Sequence, residues 1–334
     1  MKVERRQFLI QLGSAIGVPL LAQARAQPLD HPRHIGIIVP FAKTDADTIA
    51  HLKVFRAELA RLGWKEDQNL HIDYRWSNGD PGLIKSNAKE LVELKPDVLV
   101  CRATPVARAL ASETRTIPII FVVVSDPVGD HLVKSIARPG GNLTGFTNVE
   151  ASLGGKWLEL LHDIAPALKR VAIMFNPATS PDGGSYYMHL IDEAAKSTTM
   201  NVTAMQVEDR SGIQSAIDTY AQQPAAGLVI LPDVITTAHR DLIIAAADRY
   251  RLPTIFAYRY IVAEGGLASY GVDVADLYRR AAVYADRILR GDNVAELPVQ
   301  APVKFELAIN LKTARKLDLT ISPALLATAD EIVE

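Results

Sequence analysis

Between Pro96 and Thr147 two apolar runs, Asp97–Cys101 and Ile117–Val124, each stop at a hydroxyl or carboxyl residue followed by proline. Short β-branched runs of this kind read as buried strands. Thr104 then reads as a helix N-cap with Pro105 at the first helical position, and Ser125-Asp126-Pro127 closes the second strand in the same way. A chain that repeats strand, cap and proline builds a parallel sheet and points helix N-termini, with their free N–H groups, at one sheet edge.

The alternation continues on both sides. His34–Pro40, Leu70–Arg75, Asp97–Cys101, Ile117–Val124 and Leu143–Thr147 are the strands of a first series, with helices near Asp47–Leu62, Pro81–Leu94 and Pro105–Glu113. A helix over Leu153–Ile164 leads to a second series: Arg170–Phe175, Val202–Val207, Gly227–Leu231 and Pro253–Ala257, with helices near Gly184–Thr199, Ser211–Gln222 and Ala238–Tyr250. Leu267–Tyr270, a helix near Ala275–Leu289 and a final strand over Lys304–Ile309 complete the pattern. Strands alternating with helices specify the α/β class, here two Rossmann-like lobes with parallel sheets. The expected division is 34–148 with about 265–291 in the first lobe, and 150–262 with about 302–334 in the second.

Met1–Arg6 is charged, Phe8–Ala22 is moderately apolar, and Ala24-Arg25-Ala26 fits a cleavage site, so residues 1–26 read as an export signal peptide. Arg5-Arg6 before Gln7-Phe8-Leu9 resembles a twin-arginine signal, with the general secretory route as the alternative. The mature chain is expected in the periplasm, with no later stretch long enough to span a bilayer. Net charge is −2 with no long basic cluster, which disfavours a nucleic-acid partner. The single cysteine, Cys101, ends an apolar strand and reads as a small buried side chain. No G-x-S-x-G, H-E-x-x-H or G-x-x-x-x-G-K-[ST] motif is present, so no enzyme activity, cofactor or catalytic residue is expected. His31-x-x-His34 has metal spacing but no evident further ligand beside it, and no metal is expected there.

T-P-x-A-x-A-L, I-P-I-x-F, S-D-P-V-G, L-V and R-P-G-G-N-x-T-G-F occur in order, followed by R-V-A-I-M-F-N-P over Arg170–Pro177 and a tail from Phe305. In these residues the chain resembles the tryptophan/tyrosine ABC transporter substrate-binding family. The resemblance implies a type I periplasmic-binding-protein architecture with a hinge and a central cleft. It also implies capture of a small ligand and delivery to an ABC permease. Relatives usually carry Gly where Asp318 stands and Pro where Ser322 stands.

In that architecture loops at the carboxyl ends of the strands line the cleft. Thr104 and Ser125 are placed to donate hydroxyls to a ligand carboxylate, and Arg102 to clamp it in a bidentate pair. Asp126 or Asp233 is placed to receive an ammonium, and Phe41, Tyr258 or Tyr270 to cover an apolar or planar body. Asn176 and Asp273 complete the candidate set. Thr104 and Asp126 serve equally well as helix caps, Asn176 as a turn residue, and Phe41 and Tyr270 as packing beneath the cleft. The ligand class is an amino acid or aromatic acid. The rival function is an exported sensory module feeding a chemoreceptor or kinase, which presents the same two lobes.

Overall fold

The structure, a computed structural model, describes residues 32–334, so the expected export signal over residues 1–26 and His31 lie outside the described residues. The first sheet has the order β2-β1-β3-β4-β5, all parallel, from β1 (Arg33–Val39), β2 (Leu70–Trp76), β3 (Val98–Arg102), β4 (Ile119–Val124) and β5 (Leu143–Thr147). Helices α1 (Ala46–Arg61), α2 (Pro81–Glu93) and α3 (Thr104–Glu113) connect the strands. Asp45 and Asp80 cap the first two of these, each accepting backbone N–H groups of the first turn. Successive strand residues face opposite ways, so Ile35, Ile37 and Val39 pack with Phe55 and Leu59 of α1, while Ile38, Leu99 and Phe121 pack with Leu110 of α3. Cys101 is buried in the second of these layers, where burial pushes its thiol above the ordinary range.

The second lobe begins with α4 (Leu153–Ile164) and β6 (Arg170–Phe175), followed by α5 (Ser185–Ala195), β7 (Asn201–Gln206), α6 (Arg210–Tyr220) and β8 (Ala226–Ile230). It continues through α7 (Val234–Ala238), α8 (Arg240–Tyr250), β9 (Thr254–Phe256), α9 (Arg259–Ala263) and β10 (Ala268–Val272). After α10 (Val274–Leu289) come β11 (Phe305–Asn310), α11 (Leu311–Lys316), α12 (Pro323–Leu326) and β12 (Glu331–Val333). The sheet order is β12-β11-β10-β9-β8-β6-β7, parallel except where β11 runs antiparallel to β10.

Two expectations are corrected. The helix expected near Ala238–Tyr250 starts at Arg240, because His239 leaves helical geometry (φ −111°, ψ 25°), and Asp233 caps a separate short helix before it. The segment from 265 does not return to the first lobe as a block: β10 belongs to the second sheet, and only α10 packs back on α1 and β4. The chain thus passes between lobes after β5, after β10 and before β11. The three passages are bonded together: the Thr147 N–H donates to Gln300 O (3.0 Å), the Asp273 N–H to Lys304 O (3.1 Å), and Lys304 Nζ to Asp273 Oδ2 (2.8 Å). Asp318 sits at φ 55° just past α11, the left-handed position that Asp tolerates better than most side chains.

Candidate functional site

Arg102, the last residue of β3, is 2% exposed yet has no carboxylate within ion-pair distance among the described residues. Phe41, in the loop after β1, lies under its guanidinium at 4.8 Å, and the Tyr258 ring, after β9, at 5.7 Å. Arg102 Nη2 donates to Tyr260 Oη at a long 3.4 Å. Tyr258 and Tyr260 stack on each other with centroids 5.5 Å apart. The base is closed by His51 of α1, stacked on Tyr278 of α10 at 5.6 Å and set edge-on to Tyr260 at 6.1 Å. A buried cation therefore sits among five rings from both lobes. Cation–π contacts return about 0.5–2 kcal/mol, less than the several kcal/mol lost on stripping a charge of water.

Beside this cluster Ser125 Oγ donates to Asn148 Oδ1 (2.9 Å) and shares a 2.5 Å hydrogen bond with Tyr187 Oη of α5. The Ser125–Tyr187 bond joins the lobes, as does a second contact at the rim. There Arg240 of α8 reaches Asp45 (2.9 Å) and Asp47 (3.6 Å) of the first lobe while bonding Glu264 (2.7 Å). Burial, then Glu264 and Asp45, pushes Asp47 up to about 6 against the pull of Arg240. The lobes are in contact across the cleft.

The sequence-derived candidates separate into two groups. Phe41, Arg102, Ser125 and Tyr258 converge as described. Thr104 is buried next to them, but it is not a cap: Ala103 is the N-cap residue, at φ 74° and ψ 152°, with no side-chain cap bond. The Ala103 N–H still pairs with Val122 O, and the helix starts directly at Thr104, one residue earlier than a Thr104 cap would place it. No helix follows β4 either; Asp126 accepts the Gly129 N–H (2.8 Å) in a turn. Asn176 fixes its own turn through Ala178 and Thr179, and its Nδ2 donates to Glu208 O. Asp233 accepts from Ile235, Thr236, Thr179 and the Asn176 N–H, which occupies both its oxygens, and burial pushes it up to about 6. Tyr270 lies within β10, stacked on Phe305 at 5.8 Å and away from the ring cluster, because the strand runs on to Val272 before the passage. Asp273 caps α10 and holds Lys304 at that passage; burial alone would raise it, but the Lys304 bond and the Asp276 N–H keep it below the ordinary carboxylate range.

Sequence reasoning missed His51, Tyr260, Tyr278, Tyr187 and Asn148. His51 was detectable in one respect: it falls on the buried stripe of α1 with Thr48, Leu52, Phe55 and Leu59, where a polar ring is out of place. Its Nδ1 is buried without a hydrogen-bond partner. Burial, then the Arg102 charge, pushes the imidazole down to about 3 from 6.5, so it is neutral at pH 7. For a base with a depressed folded value, the stabilising contribution is complete above 6.5 and is lost as pH falls towards 3. His51→Phe keeps the ring stacked on Tyr278 and removes the titration. Between pH 7 and pH 5 wild type is expected to lose about 2 kcal/mol relative to this variant. Denaturant melts at the two pH values measure this, and parallel pH profiles would refute it.

Two α/β lobes joined by three passages and meeting over a buried arginine define the type I periplasmic-binding-protein class. Within that class, the chain belongs to the ABC transporter substrate binding protein family, whose sequence profile matches residues 35–333. It is 29% identical over 267 residues to a tyrosine-binding protein of Clostridioides difficile, covering 80% of this chain and 76% of the relative. A conserved domain protein of Vibrio cholerae superposes with a TM-score of 0.83 at 30% identity, over 90% of this chain and 99% of the other. An ABC domain of Streptococcus pneumoniae in complex with L-Trp superposes with a TM-score of 0.83 at 25% identity, over 90% of this chain and all of the other. Among the described residues no helix is long and apolar enough to cross a membrane.

Proposed function

We propose that this chain is the exported solute receptor of an ABC importer, holding a small carboxylate-bearing ligand of the aromatic amino acid or aromatic acid class between its lobes and delivering it to a membrane permease. The observation that carries this reading is Arg102: a buried guanidinium with no carboxylate partner among the described residues, facing ring surfaces from both lobes. A ligand carboxylate supplies the missing counter-charge, and a planar ligand body suits Phe41, Tyr258 and Tyr260. The names of the tyrosine-binding and tryptophan-bound relatives point to the same ligand class. Closure needs no chemistry. A ligand that touches both lobes favours their contact through bonds such as Ser125–Tyr187 and Arg240–Asp45, and a permease distinguishes that form from the open one. In this reading residues 1–26 act as an export signal, and the receptor works in the periplasm.

A melting panel tests the reading. At a hundredfold excess over its dissociation constant, the true ligand is expected to add ~2.7 kcal/mol of stability. Tyrosine, tryptophan and aromatic acids should include one that does so, while the matching amine without the carboxylate, such as tyramine, should not. A panel in which no acid shifts the melt, or in which tyramine equals tyrosine, would refute a carboxylate-binding receptor.

A further inference from the structure

His34, singled out in the sequence for its His31-x-x-His34 spacing, acquires two partners that the linear order conceals. Strands β1 and β2 run parallel in a register that pairs His34 with His71 and Gly36 with Asp73. Register partners share a face, as do residues two apart on one strand, so His34, His71 and Asp73 project together. Gly36 completes that face without a side chain of its own, and Leu99, Leu91 and Pro96 close over it. His34 Nε2 lies 2.8 Å from Asp73 Oδ2, and His71 Nε2 lies 3.2 Å from the same oxygen. The two rings are 5.2 Å apart between centroids, and one ligand atom from each of the three residues lies within 4.8 Å of the others.

We propose that His34, His71 and Asp73 form a binding site for a divalent transition-metal ion of the zinc class. Two imidazole nitrogens and one carboxylate oxygen are a donor set that suits zinc, nickel or copper, whereas magnesium and calcium prefer oxygen alone. The donors stand on adjacent hydrogen-bonded strands, so little chain entropy is lost in gathering them. Moving two imidazoles off a shared carboxylate oxygen and onto an ion requires only side-chain rotation. Second contacts hold the frame: the His34 N–H donates to Asp97 Oδ2 (2.7 Å), and Arg75 stands 3.8 Å from the other oxygen of Asp73. His71 is the most open of the three, with a side chain 62% exposed, so the ion would keep a coordination position facing solvent. His34 and His71 are each the second residue of their strands, and Asp73 stands at the middle of β2. The cleft lies beyond the carboxyl ends, about 20 Å away along β1 at ~3.3 Å per residue, so the site is independent of the proposed ligand.

The test uses the full chain without a polyhistidine tag, stripped with chelator and titrated with zinc sulfate by calorimetry, with a melt at each metal concentration. One zinc ion per chain is expected, with a rise in melting temperature that magnesium does not reproduce. His71→Ala, at the exposed position, should melt as wild type does without metal and bind zinc at least roughly tenfold more weakly, since even loss of an outer-sphere partner costs that much. Asp73→Asn keeps the shape and should weaken binding similarly, which guards against a folding defect in the first variant. Zinc binding unchanged in both variants, no stoichiometric binding by wild type, or equal binding of magnesium would overturn the proposal.

Discussion

Arg102→Met is expected to weaken ligand binding by at least roughly 30-fold while leaving the empty protein as stable as wild type or more so. The two halves of this result come from different terms. In the empty protein the guanidinium is 2% exposed, and its compensation is two ring faces and one 3.4 Å hydrogen bond. Replacing a poorly compensated buried charge by an apolar side chain of similar length is neutral to stabilising by about 1–4 kcal/mol. With ligand bound, the same guanidinium faces a carboxylate, and truncating one partner of a buried, hydrogen-bonded charge pair costs about 2–5 kcal/mol. Affinity should therefore fall by roughly 30-fold to several thousandfold. Arg102→Lys should fall between, because it keeps the charge and loses the bidentate fork. Melting of the empty variants and calorimetry with the acid ligand separate the terms. A variant that loses stability and keeps its affinity would make Arg102 a strut between Phe41 and Tyr258, with no part in binding.

Most of this architecture is legible in the sequence because buried parallel strands are continuous apolar runs. Arg170–Phe175 and Leu143–Thr147 coincide with the observed strands, and the other predicted strands differ from theirs by a residue or two at an end. Local signals failed where tertiary contacts decide. The Thr-Pro pair looks like a cap and first turn, yet sheet pairing reaches Ala103, whose positive φ turns the chain straight into a helix that begins at Thr104. Gly265-Gly266 looks like a boundary between lobes, but β10 is held in the second sheet by its antiparallel partner β11, which lies beyond α10 in the sequence. At the cleft, Phe41, Arg102 and Tyr258 were readable because they stand at strand ends, where the fold class puts ligands. Tyr278 was not, since it sits within an amphipathic helix whose periodicity marks it as core, and His51 showed only as a polar ring on such a stripe, with no sign of what it faces. Pairs that cross between lobes, such as Ser125 with Tyr187 and Arg240 with Asp45, depend on the angle between two sheets, and no local pattern records an angle.

Gly271→Ala is expected to be a strongly destabilising single-methyl change near the cleft. In Tyr270-Gly271-Val272-Asp273 the glycine lies where β10 passes the end of β9, and a Cβ there would stand 1.9 Å from the carbonyl oxygen of Ala257. That neighbour is backbone, so no rotamer relieves the clash and the two strands must part. Overpacking costs about 1–3 kcal/mol when side chains give way, and a backbone obstacle puts this site at about 3 kcal/mol or beyond. For a chain of this size the melting temperature should drop by roughly 5–10 °C. The displaced carbonyl belongs to the residue before Tyr258, so the ring stacked on Tyr260 and lying under Arg102 moves with it. Ligand affinity should therefore fall together with stability. Gly141→Ala, where a Cβ meets nothing within 4 Å, supplies the control and should match wild type in both measurements. If Gly271→Ala melts with wild type, the close approach of β10 to Ala257 is not a constraint on this fold. If it melts low but binds normally, Tyr258 does not transmit the displacement to the site.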